Sequence, residues 1–452
     1  MATKPIALRS SRHLAKVRAA VKAIADEAVA AAEAIADFAE PPLREFKSAD
    51  RLEKWLAAEG FRCERRIDLM PTAFKAARGR GRPVIAILAE YDALPDCGPR
   101  PGQWGHGCGH NLLGTAAAAA GIAAARVLDA LGVEGQVVVW GCPAEEALHG
   151  KVYMAEQGAF RGLDAVLCWH PGAANRVRPA GGAAMDSLRL TFHGKTAHAA
   201  GGPQHGRSAL DAAVLTDVAV NYLREHVEEN ARIHCVITRG GNAPNVVPDE
   251  AELWYYVRGR DRAQVDDLRR RVVLCAKGAA LATETKVAVC VETAIAERIP
   301  NEPLAEMLDA VLHRLGPPKF TPAEQRQAKA SASGKPYRTD IKPPDAAAGR
   351  ASSDEDNVSW FAPLTCLNTA CVPEDTVGHH RDYAAAVRMN GAHRGMLKAA
   401  EVLAAAAVEL AMNAPLRRRA AEAFKKNRKG KVYKLPLSPN AKPSVYKASE
   451  TA

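Results

Sequence analysis

Apolar and polar residues alternate along this chain in patterns that change from one region to the next. Residues 11–58 follow helical spacing. Short apolar runs at 84–88, 137–140 and 165–168 are typical of buried strands, and an alanine-rich segment ending at Gly132 predicts a helix between the first two. Because strands alternate with helices here, we expect an α/β domain built on a doubly wound, mainly parallel sheet.

The pattern changes near Gly181. Segments beyond that point alternate with period two, and helical patterns cover 207–225 and 261–282. Strands and helices in this order predict an α+β domain inserted into the first domain. A polar stretch at 315–352, rich in Pro, Ala and Lys, predicts an extended loop, and a final helix at about 384–412 is expected to pack back on the first sheet.

These patterns divide the chain into four segments. The predicted bounds are 1–181 and 296–412 for the two parts of the larger domain, 182–295 for the inserted domain, and 413–452 for a basic tail.

The net charge of +10 resides almost wholly in this tail. The last 42 residues of the chain carry eleven Lys or Arg and two Glu, so the rest of the chain is nearly neutral. The tail is expected to be a solvated extension, and no basic-aromatic fold motif indicates nucleic-acid binding. No segment is expected to be apolar over the roughly eighteen residues that a membrane span needs, so no membrane span is expected, and the N-terminus lacks the apolar core of a signal peptide.

The ten cysteines do not form a pattern typical of a disulfide framework. Five of them sit in or beside apolar runs: Cys142, Cys168, Cys235, Cys290 and Cys371. Buried free thiols are typical of a reducing compartment, so we expect a cytoplasmic protein.

Candidate chemistry follows the predicted strands. Asp92 comes after the first strand, Glu145 and Glu146 after the second, and His170 after the third. Since sites in open parallel sheets gather beyond the carboxyl ends of the strands, these side chains are expected to meet at one edge.

The stretch "GHGCGHN" places Cys108 and His110 two positions apart, immediately before the alanine-rich helix. In an extended segment both face the same side, where both can reach one metal ion. A structural zinc site and a redox dithiol are disfavoured, because neighbouring Cys-x-x-Cys pairs are missing. A structural role for each residue alone, or a solvated Glu145–Glu146 pair, stays open at this point.

Six motifs appear together in one order: "AEYDALP", "GCGHN", "PAEE", "CWHPG", "GKTAHAA" and "NVVPD". Because it carries these motifs, the chain from residue 20 to residue 412 resembles the metallopeptidases of family M20. The resemblance is to the amidohydrolase branch, which includes p-aminobenzoyl-glutamate hydrolases and auxin-conjugate hydrolases. The segment "SSDEDNVSW" resembles the one that precedes the last metal ligand in the aminobenzoyl-glutamate subgroup.

The resemblance implies two divalent metal ions per chain. Cys108 would bridge them, and His110 and His170 would complete one site. Glu146 and a C-terminal histidine would complete the other. His379 matches that last ligand best and His380 is the alternative, whereas Glu90 is not counted as a ligand.

The resemblance also implies roles for residues that do not bind metal. The implied roles are general base for Glu145, orientation of a ligand for Asp92, oxyanion donor to the partner subunit's site for His198, and contacts to substrate polar groups for Asn245 and Arg258. The inserted domain corresponds to the family's lid or dimerisation domain. A homodimer is therefore expected.

The expected activity is hydrolysis of a C–N amide bond in a small molecule, either an N-acyl amino acid or a dipeptide-like amide, with an aromatic acyl group as one option. A divalent ion lowers the pKa of bound water from 15.7 towards about 7, supplying hydroxide at neutral pH. Thiolate and imidazole favour zinc, whereas carboxylates admit manganese. The alternatives are hydrolytic deamination of an aromatic amine at the same site and a non-catalytic partner subunit.

Overall fold

Seven strands of the larger domain form one twisted sheet in a computed structural model that describes residues 8–345 and 349–443. The bounds are β1 (Arg62–Glu64), β2 (Phe74–Arg80), β3 (Val84–Ala89), β4 (Gly135–Gly141), β5 (Ala165–Gly172), β6 (Arg176–Arg178) and β11 (Leu364–Ala370). Across the sheet, these strands follow the order β1-β2-β4-β3-β5-β11-β6.

The helices of the larger domain precede, connect and follow these strands. They are α1 (Leu14–Lys22), α2 (Ala25–Phe38), α3 (Phe46–Ala58), α4 (His110–Leu131), α5 (Gly150–Glu156), α8 (Glu302–Leu315), α9 (Pro322–Lys329), α10 (Glu355–Val358), α11 (Arg381–Ala386), α12 (Asn390–Met412) and α13 (Ala414–Arg428), with a 3-10 turn at Arg9–His13.

The four central strands β4, β3, β5 and β11 are parallel, as the apolar runs predict. The outer strands β1, β2 and β6 pair in the antiparallel sense, so the whole sheet is mixed. Aliphatic residues on both faces of the central strands are buried, because helices cover one face and helix α5 with a loop layer covers the other.

Helix α4 is the alanine-rich helix at the centre of this domain. It is long and apolar enough to cross a membrane by length and composition, so the expectation that no segment passes that test was wrong. However, 94% of the most apolar 18-residue stretch of this helix is buried inside the protein, and the helix packs against α12, β3 and β4. This burial is typical of the core helix of a folded domain.

The inserted domain is a four-stranded antiparallel sheet covered by two helices. Its elements are β7 (Ala184–His193), α6 (Ala209–Leu223), β8 (Arg232–Arg239), β9 (Glu250–Gly259), α7 (Arg262–Ala282) and β10 (Lys286–Ile295), with 3-10 turns at Pro203–His205 and Arg224–His226. The strand order is β10-β7-β9-β8. The alternation of buried and half-buried residues along β9 is the period-two pattern of its sequence.

The polar stretch that was expected to be an extended loop contains helix α9. Thr321 and Glu324 form a capping box at its start, in which each side chain bonds the other residue's backbone N–H. Further on, Ile341 bridges Asn175 beside β6, which ties the stretch to the sheet edge. Residues 346–348 lie outside the described residues.

The basic tail is only partly the solvated extension that its charge predicts. Helix α13 buries Leu416 and Ala420 and contacts α8. Further along, the Tyr433 ring packs edge-on against Phe361, with ring centroids 4.8 Å apart. The Ser438 backbone N–H donates to the Val291 carbonyl in β10, at 3.1 Å. The tail therefore crosses from the larger domain to the inserted domain.

Replacing Tyr433 by Ala is expected to lower the free energy of unfolding by about 2–3 kcal/mol, because a half-buried aromatic ring and its two ring contacts are lost. The matched control is Val432→Ala, since Val432 is 80% exposed and should tolerate the change. Urea unfolding curves of both variants measure the difference. Equal stability of the two variants would contradict the packing of the tail.

Candidate active site

The carboxyl ends of the parallel strands meet at a cavity of about 570 Å³ between the two domains. Glu145 and Glu146 follow β4, and Cys108 directly precedes α4. His170 lies inside β5 rather than after it, near the end of that strand. All four line the cavity, so the structure brings the residues from separate strands together as the sequence predicts.

Tight backbone turns hold these residues at the edge. Gly109 has φ +81° at the start of α4, and a Cβ there would lie 2.7 Å from the Pro171 ring. Ala144 takes a left-handed φ of 54° just before the Glu pair. Its N–H donates to buried Glu45 at 2.9 Å, and this bond supports a conformation that costs about 1 kcal/mol or more.

Two groups of ligand-type atoms share Cys108. The first group contains Cys108, His110 and His170, and the second contains Cys108, Glu146 and His379, with the atoms of each group within 4.8 Å of one another. His379 is held by its backbone N–H, which donates to the Gly107 carbonyl at 2.8 Å.

Buried His110 and half-buried His170 present the same ring nitrogen to this centre. His110 Nδ1 lies 2.8 Å from Asp92 Oδ1, and His170 Nδ1 lies 2.7 Å from the Pro171 carbonyl. Each Nδ1–H therefore has an acceptor, and each Nε2 is left as a lone-pair donor. Among described residues, buried His110 Nε2 has no hydrogen-bond partner of regular geometry.

Asp92 and His380 differ in their relation to this centre. Asp92 orients His110 with one carboxylate oxygen and accepts from the Glu146 N–H at 2.8 Å with the other. His380 Nδ1 instead lies 3.1 Å from Asp382, outside both ligand groups. The geometry thus favours His379 over its neighbour.

The electrostatics of the cavity fit a bound cation. Burial raises the pKa of Glu145, with nearby Glu90 adding to the effect, and burial also raises the pKa of Glu146 to about 7. Burial similarly raises the pKa of the Cys108 thiol. Divalent cations reverse such shifts, because they stabilise thiolate and carboxylate directly. A thiol, imidazoles and carboxylates in this arrangement fit zinc or manganese.

Glu145 lies beside these two groups, forms a third group of ligand-type atoms with Glu90 and His110, and presents its two oxygens differently. Oε1 accepts a hydrogen bond from Ser353 Oγ at 2.7 Å. Oε2 lies 3.9 Å from His110 Nε2 and faces the ligand groups. One oxygen is therefore held and the other is available to exchange a proton, which is the geometry a general base needs.

Sequence reasoning missed a buried ion-pair network behind these residues. The Lys151 ammonium lies 2.7 Å from Glu90 Oε1 and also pairs with Asp354, and Lys151 and Asp354 are both fully buried. Glu90 Oε2 lies 3.3 Å from His110 Nε2. The available signal was a lysine within the apolar run of α5, since a lysine is rarely buried without partners.

The three site residues that were predicted in the inserted domain lie in two different places. Arg258 lines the cavity, on β9. His198 and Asn245 are exposed and do not line it, but they lie together, since the Ala199 N–H donates to the Asn245 carbonyl at 2.9 Å. His198 Nδ1 accepts from the Gly201 N–H at 3.0 Å, which leaves Nε2–H as an outward donor.

Glu45 gives the fold a specific pH dependence. Burial raises its pKa to about 8, and Asp92 adds to the rise. Between pH 4.5 and 8 the folded protein therefore holds a proton that the unfolded chain releases. The free energy of unfolding is expected to fall by up to about 1.4 kcal/mol per pH unit from this group as pH rises.

Glu45→Gln mimics the protonated form and should flatten this dependence. Urea midpoints at about pH 5, 6, 7 and 8 for both proteins measure it, and the difference between the two curves isolates Glu45 from the other buried carboxyls. Parallel curves would show that Glu45 is ionised in the folded state.

Comparisons with known proteins agree with this geometry. The family model of the peptidase dimerisation domain matches residues 184–284, inside the inserted domain. One subunit of the p-aminobenzoyl-glutamate hydrolase of Escherichia coli (strain K12) is 34% identical over 459 residues, which cover 92% of this chain and 95% of that protein. The Xaa-Arg dipeptidase of Mus musculus is 37% identical over 223 residues, about half of each chain (47% and 50%).

A solved structure shows the same fold. The dinuclear metal binding peptidase of the M20 family from Bacillus subtilis is 19% identical, with a TM-score of 0.58, over 86% of this chain and 98% of that one. The near full-length match to the Escherichia coli protein agrees with the motifs and with the arrangement of the site. The chain belongs to the M20 metallopeptidase family, within the amidohydrolase branch that contains the p-aminobenzoyl-glutamate hydrolases.

Proposed function

We propose that this protein is a binuclear metal hydrolase that cleaves amide bonds of N-acyl amino acids or dipeptide-like substrates. The observation that carries the proposal is the pair of ligand groups that share Cys108 beside Glu145 in one cavity. The relatives support the reaction class, because a hydrolase of p-aminobenzoyl-glutamate and a dipeptidase both cleave such bonds.

Cys108 would bridge two zinc or manganese ions. His110 and His170 would complete one site, and Glu146 and His379 the other. When bound, such ions supply hydroxide at neutral pH and polarise the substrate carbonyl.

The chain's own residues do the rest of the work. Glu145 takes a proton at Oε2 and later hands it to the leaving nitrogen, since an amine leaves only once it is protonated. Asp92 holds His110 in the tautomer that leaves Nε2 as a donor. The buried Lys151 offsets part of the negative charge that the carboxylates concentrate behind the site.

The lining of the cavity favours a substrate with a free carboxylate. Arg176, Arg178 and Arg258 all line it on the side of β6 and the inserted domain. Two of them pair with acidic groups, Arg176 with Asp345 at 3.0 Å and Arg178 with Glu355 at 3.1 Å. A guanidinium recognises a carboxylate through two parallel hydrogen bonds, which suits the amino-acid half of the substrate.

Product analysis tests this proposal against its alternatives. Apoprotein reloaded with zinc or with manganese is incubated with a panel of N-acyl amino acids, including aromatic acyl groups, and with aromatic amines. Release of a free amino acid supports the proposal, whereas ammonia would indicate a deaminase. Absence of any product from fully loaded protein would favour a non-catalytic partner subunit.

We also propose that the chain forms a homodimer through the inserted domain. Strand β8 is an edge of its sheet, with Val236 and Ile237 both 53% exposed. Helix α6 exposes further apolar side chains: Val214, Leu215, Val218 and Tyr222. An exposed sheet edge next to a group of exposed apolar side chains is typical of protein interfaces. The dimerisation-domain match supports association through the inserted domain.

In such a dimer, His198 and Asn245 would act in the partner's cavity, because they do not line their own. Glu145→Ala and His198→Ala should each bind metal and be nearly inactive, since one loses the base and the other the oxyanion donor. When the two variants are mixed and exchange subunits, about half the dimers are mixed, and each of these has one complete site. About a quarter of wild-type activity should return. No recovery after demonstrated exchange would show that His198 does not act in trans.

A further inference from the structure

The segment Ser352–Asn357 connects parts of the protein that are distant in sequence. The Ser352 hydroxyl donates to the Ala183 carbonyl at 2.7 Å, where the chain enters the inserted domain. Asn357 accepts from the Ala296 N–H at 2.7 Å, where the chain returns. This segment therefore contacts both crossings between the two domains. It also lies along the wall of the cavity, which Ser352, Ser353 and Glu355 help to line.

Ser353 contacts the proposed base directly. Its Oγ donates to Glu145 Oε1 at 2.7 Å, whereas the other oxygen, Oε2, lies 3.9 Å from His110 Nε2. The two oxygens of a carboxylate are chemically equivalent, so the bond acts through the orientation of the group. By holding one oxygen it limits rotation of the side chain and keeps the other oxygen near His110 Nε2.

Ser352 contacts Arg258, the residue of the inserted domain that is proposed to bind the substrate. Arg258 Nη1 donates to Ser352 Oγ at 2.8 Å, while the same hydroxyl donates to Ala183. The hydroxyl thus joins Arg258 on β9 to the domain crossing. Arg258 also lies over the Tyr256 ring, 5.6 Å from its centroid, which further restricts the guanidinium.

The segment is held rigidly from behind. Asp354 accepts from the Lys151 backbone N–H at 2.7 Å and pairs with the Lys151 ammonium. Asp356 pairs with Arg298 and accepts from the Gly182 N–H at 2.7 Å. These side chains are buried. Because loss of one partner of a buried ion pair strongly destabilises a protein, both pairs are held in place, and they limit the freedom of the Ser353 backbone between them.

We propose that Ser353 is a positioning residue for Glu145 and that Ser352 is a positioning residue for Arg258, so that adjacent residues orient the base and the substrate contact. This inference rests on the proposed function and extends it to a segment that the reaction does not otherwise use.

The two serines are tested by separate kinetic signatures. Ser353→Ala should lower kcat by about 10- to 100-fold with KM nearly unchanged, because the base is present but turned. Ser352→Ala should mainly raise KM, because Arg258 loses a fixed partner. Ser353→Thr keeps the hydroxyl and should restore most of kcat. The matched control for local destabilisation is Ser359→Ala. Ser359 follows the same segment, and its hydroxyl oxygen accepts from the Ile299 N–H.

Two measurements do not depend on turnover. Metal content by elemental analysis should equal the wild-type value in both serine variants, since neither residue belongs to a ligand group. Calorimetry with the free amino-acid product should show weaker binding for Ser352→Ala and unchanged binding for Ser353→Ala.

Unchanged kcat in Ser353→Ala, or a loss of metal from it, would overturn the role of Ser353. Unchanged product binding in Ser352→Ala would overturn the role of Ser352. A fully loaded wild type that hydrolyses no amide would instead overturn the proposed function, and the role of Ser353 with it. The calorimetric comparison still tests Ser352 in that case, so the two failures are distinguishable.

Discussion

Glu145→Gln is expected to lower kcat by about 100- to 10,000-fold while leaving the metal content unchanged. The amide keeps the shape of the side chain and the hydrogen bond from Ser353, but it cannot take a proton from water at neutral pH. General acid–base catalysis contributes about this factor in enzymes. Elemental analysis and initial rates on the same preparation measure both quantities.

The matched control is Glu134→Gln. Glu134 is exposed next to the opposite end of the strand that leads to Glu145, so its replacement should leave kcat within a factor of about two of wild type. A Glu145→Gln protein that keeps most of its activity would show that another group moves the proton. Loss of metal from it would instead assign Glu145 to the ligand set.

Cys108→Ala is expected to remove most of the bound metal and, with it, essentially all hydrolysis. Cys108 is the residue that both ligand groups share, so its loss weakens both sites at once. The negative charge of a Cys108 thiolate shared by both groups would also offset part of the repulsion between two bound cations. Metal titration of the apoprotein measures both affinities.

Three further variants make this test specific. His379→Ala should lose the metal bound with Glu146, whereas His380→Ala should keep it, because His380 pairs with Asp382. Cys275→Ala, a half-buried thiol on α7, should leave metal content unchanged. Full metal content in Cys108→Ala would refute the bridging assignment, and equal loss in the two histidine variants would refute the choice between them.

The central fold was predictable because its signals are local. A buried parallel strand is a short apolar run, and β3, β4 and β5 are such runs. Strand-final polar residues then converge because parallel strands end at the same edge of the sheet. For this reason the chain order alone is enough to group Asp92, Glu145 and Glu146.

Other elements were not predicted from the sequence, because their sequence signal is weak or misleading. Helix α13 has charged residues on most of its surface, and only Leu416 and Ala420 are buried, so its composition is typical of a solvated tail. The outer strands β1 and β6 are three residues long and carry no apolar run. Their pairing depends on the neighbouring strand rather than on their own sequence.

The sequence by itself determined the order of the central strands and their helices and the chemical types at the sheet edge, since both depend on neighbouring residues and on one rule of strand geometry. Only the tertiary structure decided which distant groups support them. Ser353 bonds Glu145 and Asp354 pairs with Lys151 across about two hundred residues of chain, a separation of 208 and 203. Such contacts leave no periodic trace in the sequence, because each is made by a single side chain whose partner is chosen by the packing of the whole domain.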